Sequence, residues 1–213
     1  ARLVREDGRL LHRYRDGEEG ILGTLEDYAF LIHGLIDLYE ATFDLRYLES
    51  AKKLAGGMLE LFWEDAEGGF FLTGKDAPEL VLRPKEIYDG AIPAGNSVAA
   101  LDLLRLGRLT MDRSFEKKAE ILFDRISSQI TQAPMHYPQL LVALDFAIGP
   151  SQEVVLAGTR EDPTLQEMLR FLYGRFLPNK VVLFHPPGEE GKHLESLASF
   201  TASQNRVEEK TPA

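Results

Sequence analysis

The feature that most constrains the fold is an internal repeat with an offset of 68 residues. The segment YAFLIHGLIDLYEATFDLRYLESAKKL, from Tyr28, aligns with NSVAALDLLRLGRLTMDRSFEKKAEIL, from Asn96. Apolar residues recur at helical spacing in both copies. Asp44 and Asp112 occupy equivalent positions, where an N-cap would start the second helix of each copy. Each copy is therefore predicted to form a helix, a short turn and a second helix.

A third, partial copy follows in YPQLLVALDFAIG, which the Gly149-Pro150 pair ends. Glycine-punctuated segments precede the first two copies. DGRLLHRYRDGEEG stands before the first, and the short runs FFLT and ELVL before the second favour a β-hairpin. The predicted class is mainly α: a partial α/α toroid over residues 1–150, with about two and a half helical hairpins and inserted β-hairpins.

The pattern changes after Pro150. EVVLAG and NKVVLFHPP are β-prone runs on either side of DPTLQEMLRFLYGRF, an amphipathic segment with Asp162 as its cap and Pro163 at its first position. This order predicts a small parallel β-α-β unit over residues 151–200. GEEGKHLESLASFT is expected to add a short helix, and residues 201–213 are expected to form a disordered tail.

Charge and composition exclude several classes of function. The formal net charge is −10, and no basic stripe of the kind that binds nucleic acid or a membrane surface is present. The chain has no cysteine, which fits a reducing compartment and leads us to expect a cytoplasmic protein. The five histidines lack metal-ligand spacing, and no phosphate-binding glycine loop occurs. We predict neither a metal site nor a cofactor.

Two acidic residues open the first predicted helix of the repeat. Glu26 and Asp27 could serve as capping residues that offset the helix dipole. They also stand at the end of the helix where Asp89 precedes the equivalent helix of the second copy. Carboxylates on adjacent loops could then face each other across a pocket as general acid and base. Both interpretations stay open. His33, on the same helix, is interpreted as a core or groove histidine.

The segment RPKEIYDGAIPAGNS, residues 83–97, is rigid and chemically varied. Gly90 and Pro93 are typical of turn geometry, and Asn96 or Ser97 is expected to cap the following helix. Neither helix capping nor turn geometry accounts for an acidic residue at Asp89. A ligand-facing role is therefore favoured for the polar side chains of this segment, which are Arg83, Glu86, Tyr88 and Asp89.

A family resemblance covers nearly the whole chain. LEDYAFLIHGLIDLYEATFDLRYLESA, the segment from GGFFLTG to RPKEIYDGAIPAGNSVAALDLLRLG, and FLPNKVVLFHPPG resemble the bacterial YyaL-type family. The animal relatives of that family are called spermatogenesis-associated, thioredoxin-domain-containing proteins. The resemblance implies a C-terminal portion of a longer protein that begins with a thioredoxin-like domain and continues as an α/α toroid. That toroid is similar to N-acylglucosamine 2-epimerases and six-hairpin glycosidases.

The resemblance implies architecture more directly than activity. By analogy with toroidal sugar enzymes, the predicted function is carbohydrate processing or carbohydrate binding, with a sugar-like small molecule as ligand. Asp89, Asp27 and Glu26 are the candidate catalytic acids and bases. The candidate ligand-binding residues are Tyr28, Arg83, Glu86, Tyr88 and Asn96.

Two alternatives remain open. The toroid could be a non-catalytic scaffold that presents clients to a thioredoxin-like domain absent from this chain. The chain could also be inactive by itself, because a half ring exposes an inner face meant for the missing N-terminal half. In that case we expect self-association through the open face.

Overall fold

The computed structural model describes residues 3–78 and 82–204, which form a mainly helical protein with two small sheets. The predicted mainly α class is confirmed. In chain order the strands and helices are β1 Leu11–Arg15, β2 Glu18–Leu22, α1 Leu25–Thr42, α2 Leu45–Phe62, α3 Gly95–Thr110, α4 Arg113–Gln132, α5 Pro138–Ile148, β3 Gln152–Ala157, α6 Pro163–Tyr173, β4 Lys180–His185 and α7 Glu189–Leu197.

The repeat forms the two helical hairpins that the sequence predicted, α1–α2 and α3–α4. Asp44 accepts a hydrogen bond from Arg46 N (3.0 Å), and Asp112 accepts one from Ser114 N (3.1 Å), so both predicted N-caps are confirmed. The residues before them, Phe43 and Met111, have φ of 56° and 55°. The two tight turns therefore share one backbone conformation as well as one sequence pattern.

We call α1, α3 and α5 the inner helices and α2 and α4 the outer helices, after the predicted toroid. α3 packs against α1, α4 and α5, and α2 packs against α1. Nearly every residue of α3 is buried, including its polar residues Asn96, Asp102 and Arg105. A helix that is apolar on most of its surface needs neighbours on all sides. α3 is consequently the centre of the core.

The segments before the hairpins differ from each other. β1 and β2 form an antiparallel hairpin with Leu11 opposite Leu22. The predicted strand FFLT does not form, because Phe70 makes only an isolated bridge to Trp63 and the following backbone bonds to loop and helix-end groups instead. Most of the second predicted run, ELVL, lies outside the described residues.

The predicted β-α-β unit is confirmed as a parallel pair of strands joined through α6. The register runs from Gln152 opposite Lys180 to Ala157 opposite His185. β4 is largely buried and contacts α1 and α3, and the Phe43 and Phe184 rings lie 5.5 Å apart. Asp162 caps α6 by accepting from Thr164 N, and α7 is the expected short helix. The predicted disordered tail does not begin at residue 201, because a short 3-10 helix spans Ser199–Ser203 and buries Thr201. Residues 205–213 lie outside the described residues.

Candidate functional site

Asp89, the leading candidate from the sequence, is buried and binds backbone groups. One carboxylate oxygen accepts from Ala94 N (2.9 Å). The other accepts from Gln139 N (2.9 Å) and Leu140 N (3.2 Å), at the first turn of α5. The first turn of a helix leaves its N–H groups without intrahelical partners, so a carboxylate there is stabilising. The Asp89 carboxylate therefore has a structural role, which the capping and turn rules did not predict from the sequence.

Asn96 also holds backbone segments together. Its amide oxygen accepts from Phe70 N (2.8 Å), and Nδ2 donates to Phe70 O (2.9 Å) and Glu86 O (2.8 Å). The expectation that Asn96 or Ser97 caps α3 is wrong. The helix begins at Gly95 after Ala94, and no side chain caps its N-terminus, because Asn96 is inside the helix and committed to the two loops beside it.

The other candidates from the same end of the molecule differ in accessibility. Tyr28 is buried, and its hydroxyl accepts from Leu10 N (3.1 Å) and Arg9 Nη1 (3.3 Å). Arg83 donates to Thr73 O and lies 4.2 Å from the centre of the Phe71 ring. Tyr88 is exposed and meets the ring of His136 edge-on. Tyr28, Arg83 and Tyr88 line none of the five cavities described for residues 3–78 and 82–204.

The structure brings three of the predicted acids together at the start of α1. Asp27 completes a capping box with Thr24, whose backbone N lies 2.7 Å from Oδ2, and also contacts His12 Nδ1 at 3.0 Å. Burial, followed by the negative charges of Glu86 and Asp27, raises the pKa of Glu26. This end of α1 is therefore acidic, and the Glu26 carboxyl group keeps its proton to a higher pH than an ordinary glutamate does.

A second polar cluster lies farther along the inner helices. His33, Asp37 and Glu40 of α1 follow helical spacing and face Asp102 and Arg105 of α3. His33 Nδ1 lies 2.7 Å from Asp102 Oδ1. The Arg105 guanidinium pairs with Asp37 and with Glu40, each at 2.7 Å.

Burial sets the electrostatics of this cluster. The Asp102 side chain is fully buried, which raises its pKa to about 6 although the hydrogen bond from His33 acts in the opposite direction. The hydrogen bond to Asp102 raises the pKa of His33. Glu40 is fixed from its other side, because it accepts from Val182 N (2.9 Å) of β4. Glu40 thus ties the ion pairs of Arg105 to the α/β unit.

The cluster opens into a cavity of about 270 Å³ between the inner helices and the loop before β4. The residues that line it are His33, Asp37, Glu40, Leu101, Arg105, Val142, Phe146, Leu177, Pro178, Asn179 and Lys180. A few convergent polar groups beside apolar side chains are characteristic of small-ligand sites. Three larger cavities lie elsewhere. Those of about 440 and 720 Å³ have mostly apolar linings, with Thr164 and Glu167 in the first and Arg5, Thr24 and Thr73 in the second. The third, of about 450 Å³, has a polar lining that includes Asp44, Arg46, Arg160, Glu190 and His193, but it does not lie between α1 and α3.

The sequence contained a pattern that could have indicated this cluster. The repeat offset that pairs the inner helices places Gly34 over Asp102 and Asp37 over Arg105. Charged residues on the buried faces of two paired helices require partners, since an unpaired buried charge is costly. The polar residues at the loop ends are more conspicuous in the sequence, and His33 alone resembles a core or groove histidine.

The described part of the chain gives no support for two further kinds of site. Among residues 3–78 and 82–204, no group of three or more His, Asp or Glu side chains has an arrangement that could hold a metal ion. Within the same residues, every helix is too short or too polar to cross a membrane.

The chain is similar to animal proteins that are named spermatogenesis-associated protein 20. The rat protein is 33% identical over 189 residues, which is 88% of this chain and 24% of the rat protein. The human protein is 31% identical over 215 residues, which is 97% of this chain and 27% of the human protein. The mouse protein is 32% identical over 189 residues. No protein-family model matches the chain.

The similarity extends over most of the chain and supports the resemblance to spermatogenesis-associated proteins that the sequence suggested. The chain spans only about a quarter of the length of these relatives. Their name identifies neither a reaction nor a ligand.

Proposed function

We propose, with the similarity to spermatogenesis-associated protein 20 as the premise, that this chain forms part of an α/α toroid whose inner helices hold a sugar-like small molecule. The proposed activity of the full-length protein is carbohydrate processing of glycosidase or epimerase type, or carbohydrate binding. The alternation of inner helices α1, α3 and α5 with outer helices α2 and α4 supports a toroid. The remainder of the ring would come from the rest of the longer protein.

The observation that carries the proposal is the polar cavity between the inner helices. Asp37, His33 and Arg105 supply hydrogen-bond acceptors and donors at its wall. Val142 and Phe146 of α5 supply apolar surface to the same cavity. A sugar presents hydroxyl groups at its edge and C–H groups on its faces, so a wall of each kind is complementary to it.

The acids predicted from the sequence retain a part in this proposal. Glu26 begins the same face of α1 that carries His33, which follows seven residues, or about 10 Å, later. Glu26, with Asp27 and Glu86, is proposed as the acid/base group at the rim of the ring. Asp89, Tyr28 and Asn96 are proposed to act by holding the rim in place. We also propose a cytoplasmic location, supported by the absence of cysteine.

Ligand-observed NMR with glucose, mannose and N-acetylglucosamine at millimolar concentration tests the proposal. We expect saturation transfer to at least one sugar. Val142→Trp is expected to abolish that transfer by filling the cavity, since Val142 is half exposed at the wall. Asp124→Asn, on the exposed face of α4, is the matched control and should bind as the unaltered protein does. Absence of transfer to every sugar, or equal transfer in Val142→Trp, contradicts the proposal.

One observation favours a second candidate, the non-catalytic scaffold. Phe30, Leu31 and Leu38 of α1 are 40%, 40% and 45% exposed, although α1 is an inner helix. They lie on one side of the helix, and contiguous exposed apolar surface is characteristic of interaction sites. The occupant proposed for this stripe is another copy of the chain or the missing half of the ring. In the full-length protein such a scaffold would present clients to a thioredoxin-like domain.

A further inference from the structure

We propose that His33 is a catalytic base in the inner cavity, and that buried Asp102 positions it by holding a proton on Nδ1. The inference deepens the proposed function, because it takes the ligand to be the hydroxyl-bearing molecule proposed above. The geometry that carries it is a histidine at the cavity wall whose inner nitrogen lies 2.7 Å from a fully buried carboxylate. A base held in one orientation by a third group is the general arrangement of acid–base and nucleophilic sites.

The hydrogen bond determines which nitrogen is available. An ionised carboxylate only accepts hydrogen bonds, so a neutral His33 that bonds Asp102 carries its proton on Nδ1. Nε2 then has an unprotonated lone pair. The group recorded near Nε2 is Asp37 Oδ2 at 3.8 Å, beyond hydrogen-bond distance. The His33 side chain lines the cavity and is 32% exposed, and the proposal takes Nε2 to be the nitrogen that a ligand reaches.

Other histidines in the described part of the chain lack this combination. Both ring nitrogens of His185 are occupied, by Gln204 O at 2.8 Å and Glu195 Oε1 at 3.0 Å. His193 pairs with Glu49, and both side chains are exposed. His12 pairs with Asp27 at the surface. His33 therefore stands apart as a cavity-lining histidine with a buried carboxylate behind it.

Asp102 has a further unusual property. Its second oxygen, Oδ2, is buried and has no hydrogen-bond partner among the described residues. A carboxylate left partly unsatisfied in the core is costly for folding. Packing alone would be served better by an apolar residue at this position. Asp102 instead orients His33 and stabilises its protonated form, and this role would explain why a carboxylate that disfavours folding is present in the core.

The proton step balances within the cavity. An O–H bond of the ligand breaks, an N–H bond forms at Nε2, and the electron pair of the broken bond stays on the ligand oxygen. Asp102 balances the imidazolium. The charged groups around it are Asp37 and Glu40 from α1, Arg105 from α3 and Lys180 from the start of β4, while α5 contributes apolar Val142 and Phe146. The proton returns to the ligand oxygen or passes to water.

NMR of the full chain with ring-labelled histidine tests the positioning. We expect neutral His33 to be the Nδ1–H tautomer. In Asp102→Asn we expect its pKa to fall by about one unit or more, because a carboxylate at hydrogen-bond distance raises a histidine pKa by roughly one to three units. His193 is the internal control and should titrate alike in both proteins. A neutral Nε2–H tautomer, or an unchanged pKa in Asp102→Asn, overturns the proposal.

Acylation by diethyl pyrocarbonate, which attacks unprotonated imidazole nitrogen, tests access to Nε2 without any sugar. We expect His33 to be acylated in the unaltered protein and protected in Val142→Trp, with His193 acylated equally in both. Failure of His33 to react while His193 reacts overturns the proposal. If Asp102→Asn does not fold, the tautomer and the acylation in the unaltered protein still decide. If His33 shows the Nδ1–H tautomer and its Nε2 is acylated but no sugar binds, the proposed role of the His33–Asp102 pair is supported. Only the sugar-binding proposal is then contradicted.

Discussion

At the scale of single residues, the polar side chains around the start of α3 act mainly on the backbone. Asp89 bonds three N–H groups, and Asn96 bonds both backbone groups of Phe70 and the carbonyl of Glu86. Each residue joins segments that are distant in the sequence. An acidic or amide side chain at a loop end therefore does not by itself indicate a ligand site, since the unpaired N–H groups of a helix start require acceptors.

Replacement of Asp89 by Ala should destabilise the protein strongly. Three backbone N–H groups lose their carboxylate acceptor. Water cannot fully replace that acceptor for the N–H groups that are buried. We expect the free energy of unfolding to fall by about 2–4 kcal/mol, measured by urea denaturation.

Asp124→Ala is the control for this measurement, because Asp124 is exposed on α4. Its free energy of unfolding should stay within about 0.5 kcal/mol of the original value. If Asp89→Ala also changed the free energy of unfolding by no more than about 0.5 kcal/mol, the Asp89 carboxylate would not be an important structural anchor.

At the scale of elements, α1 and α3 approach each other closely at their N-terminal ends. A Cβ atom at Gly95 would lie 2.9 Å from Leu25 Cγ and 3.2 Å from Glu26 Cγ. The glycine thus permits the contact that brings Glu26 beside the loop of Glu86. Farther along, the His33–Asp102 pair and the ion pairs of Arg105 lie between the same two helices.

Gly95→Ala is predicted to destabilise the protein by about 1–3 kcal/mol, because the added methyl group overlaps the Leu25 side chain. Gly56→Ala is the matched substitution in α2, where a Cβ would meet nothing within 4 Å. It should stabilise the protein by about 0.5–1 kcal/mol through helix propensity. Thermal or urea unfolding of both variants gives the comparison. Changes of the same sign would contradict the close contact between α1 and α3.

At the scale of the whole molecule, the inner helices are covered unequally. α3 is enclosed by α1, α4 and α5, whereas one side of α1 exposes Phe30, Leu31 and Leu38. The β-α-β unit contacts α1 and α3 through β4 but leaves that side exposed. An inner helix with an uncovered apolar side is what a partial ring would present.

Self-association through this stripe is the prediction at this scale. We expect the unaltered chain to form a dimer or larger species in analytical ultracentrifugation. The double variant Leu31→Lys, Leu38→Lys should weaken it at least tenfold, since central apolar contacts each contribute roughly 1 kcal/mol or more. Met135→Lys, an exposed residue outside the inner helices, should leave it unchanged. A monomer at all concentrations would contradict the prediction.

The sequence by itself determined the two helical hairpins, the aspartate N-caps of α2, α4 and α6, and the parallel β-α-β unit. Helical periodicity is a local pattern, and so is an N-cap residue such as Asp44, Asp112 or Asp162. Both follow from what the backbone of a single helix requires. The partners of buried polar groups were decided only by the tertiary structure. Asp89 reaches α5, Asn96 reaches Phe70, and His33 reaches Asp102 across 69 residues. Hydrogen bonds between distant segments depend on how helices pack, and one sequence pattern permits many such pairings. For that reason the sequence predicted Asp89 as the leading site residue, whereas the cavity beside His33 could be identified only from the packing of the helices.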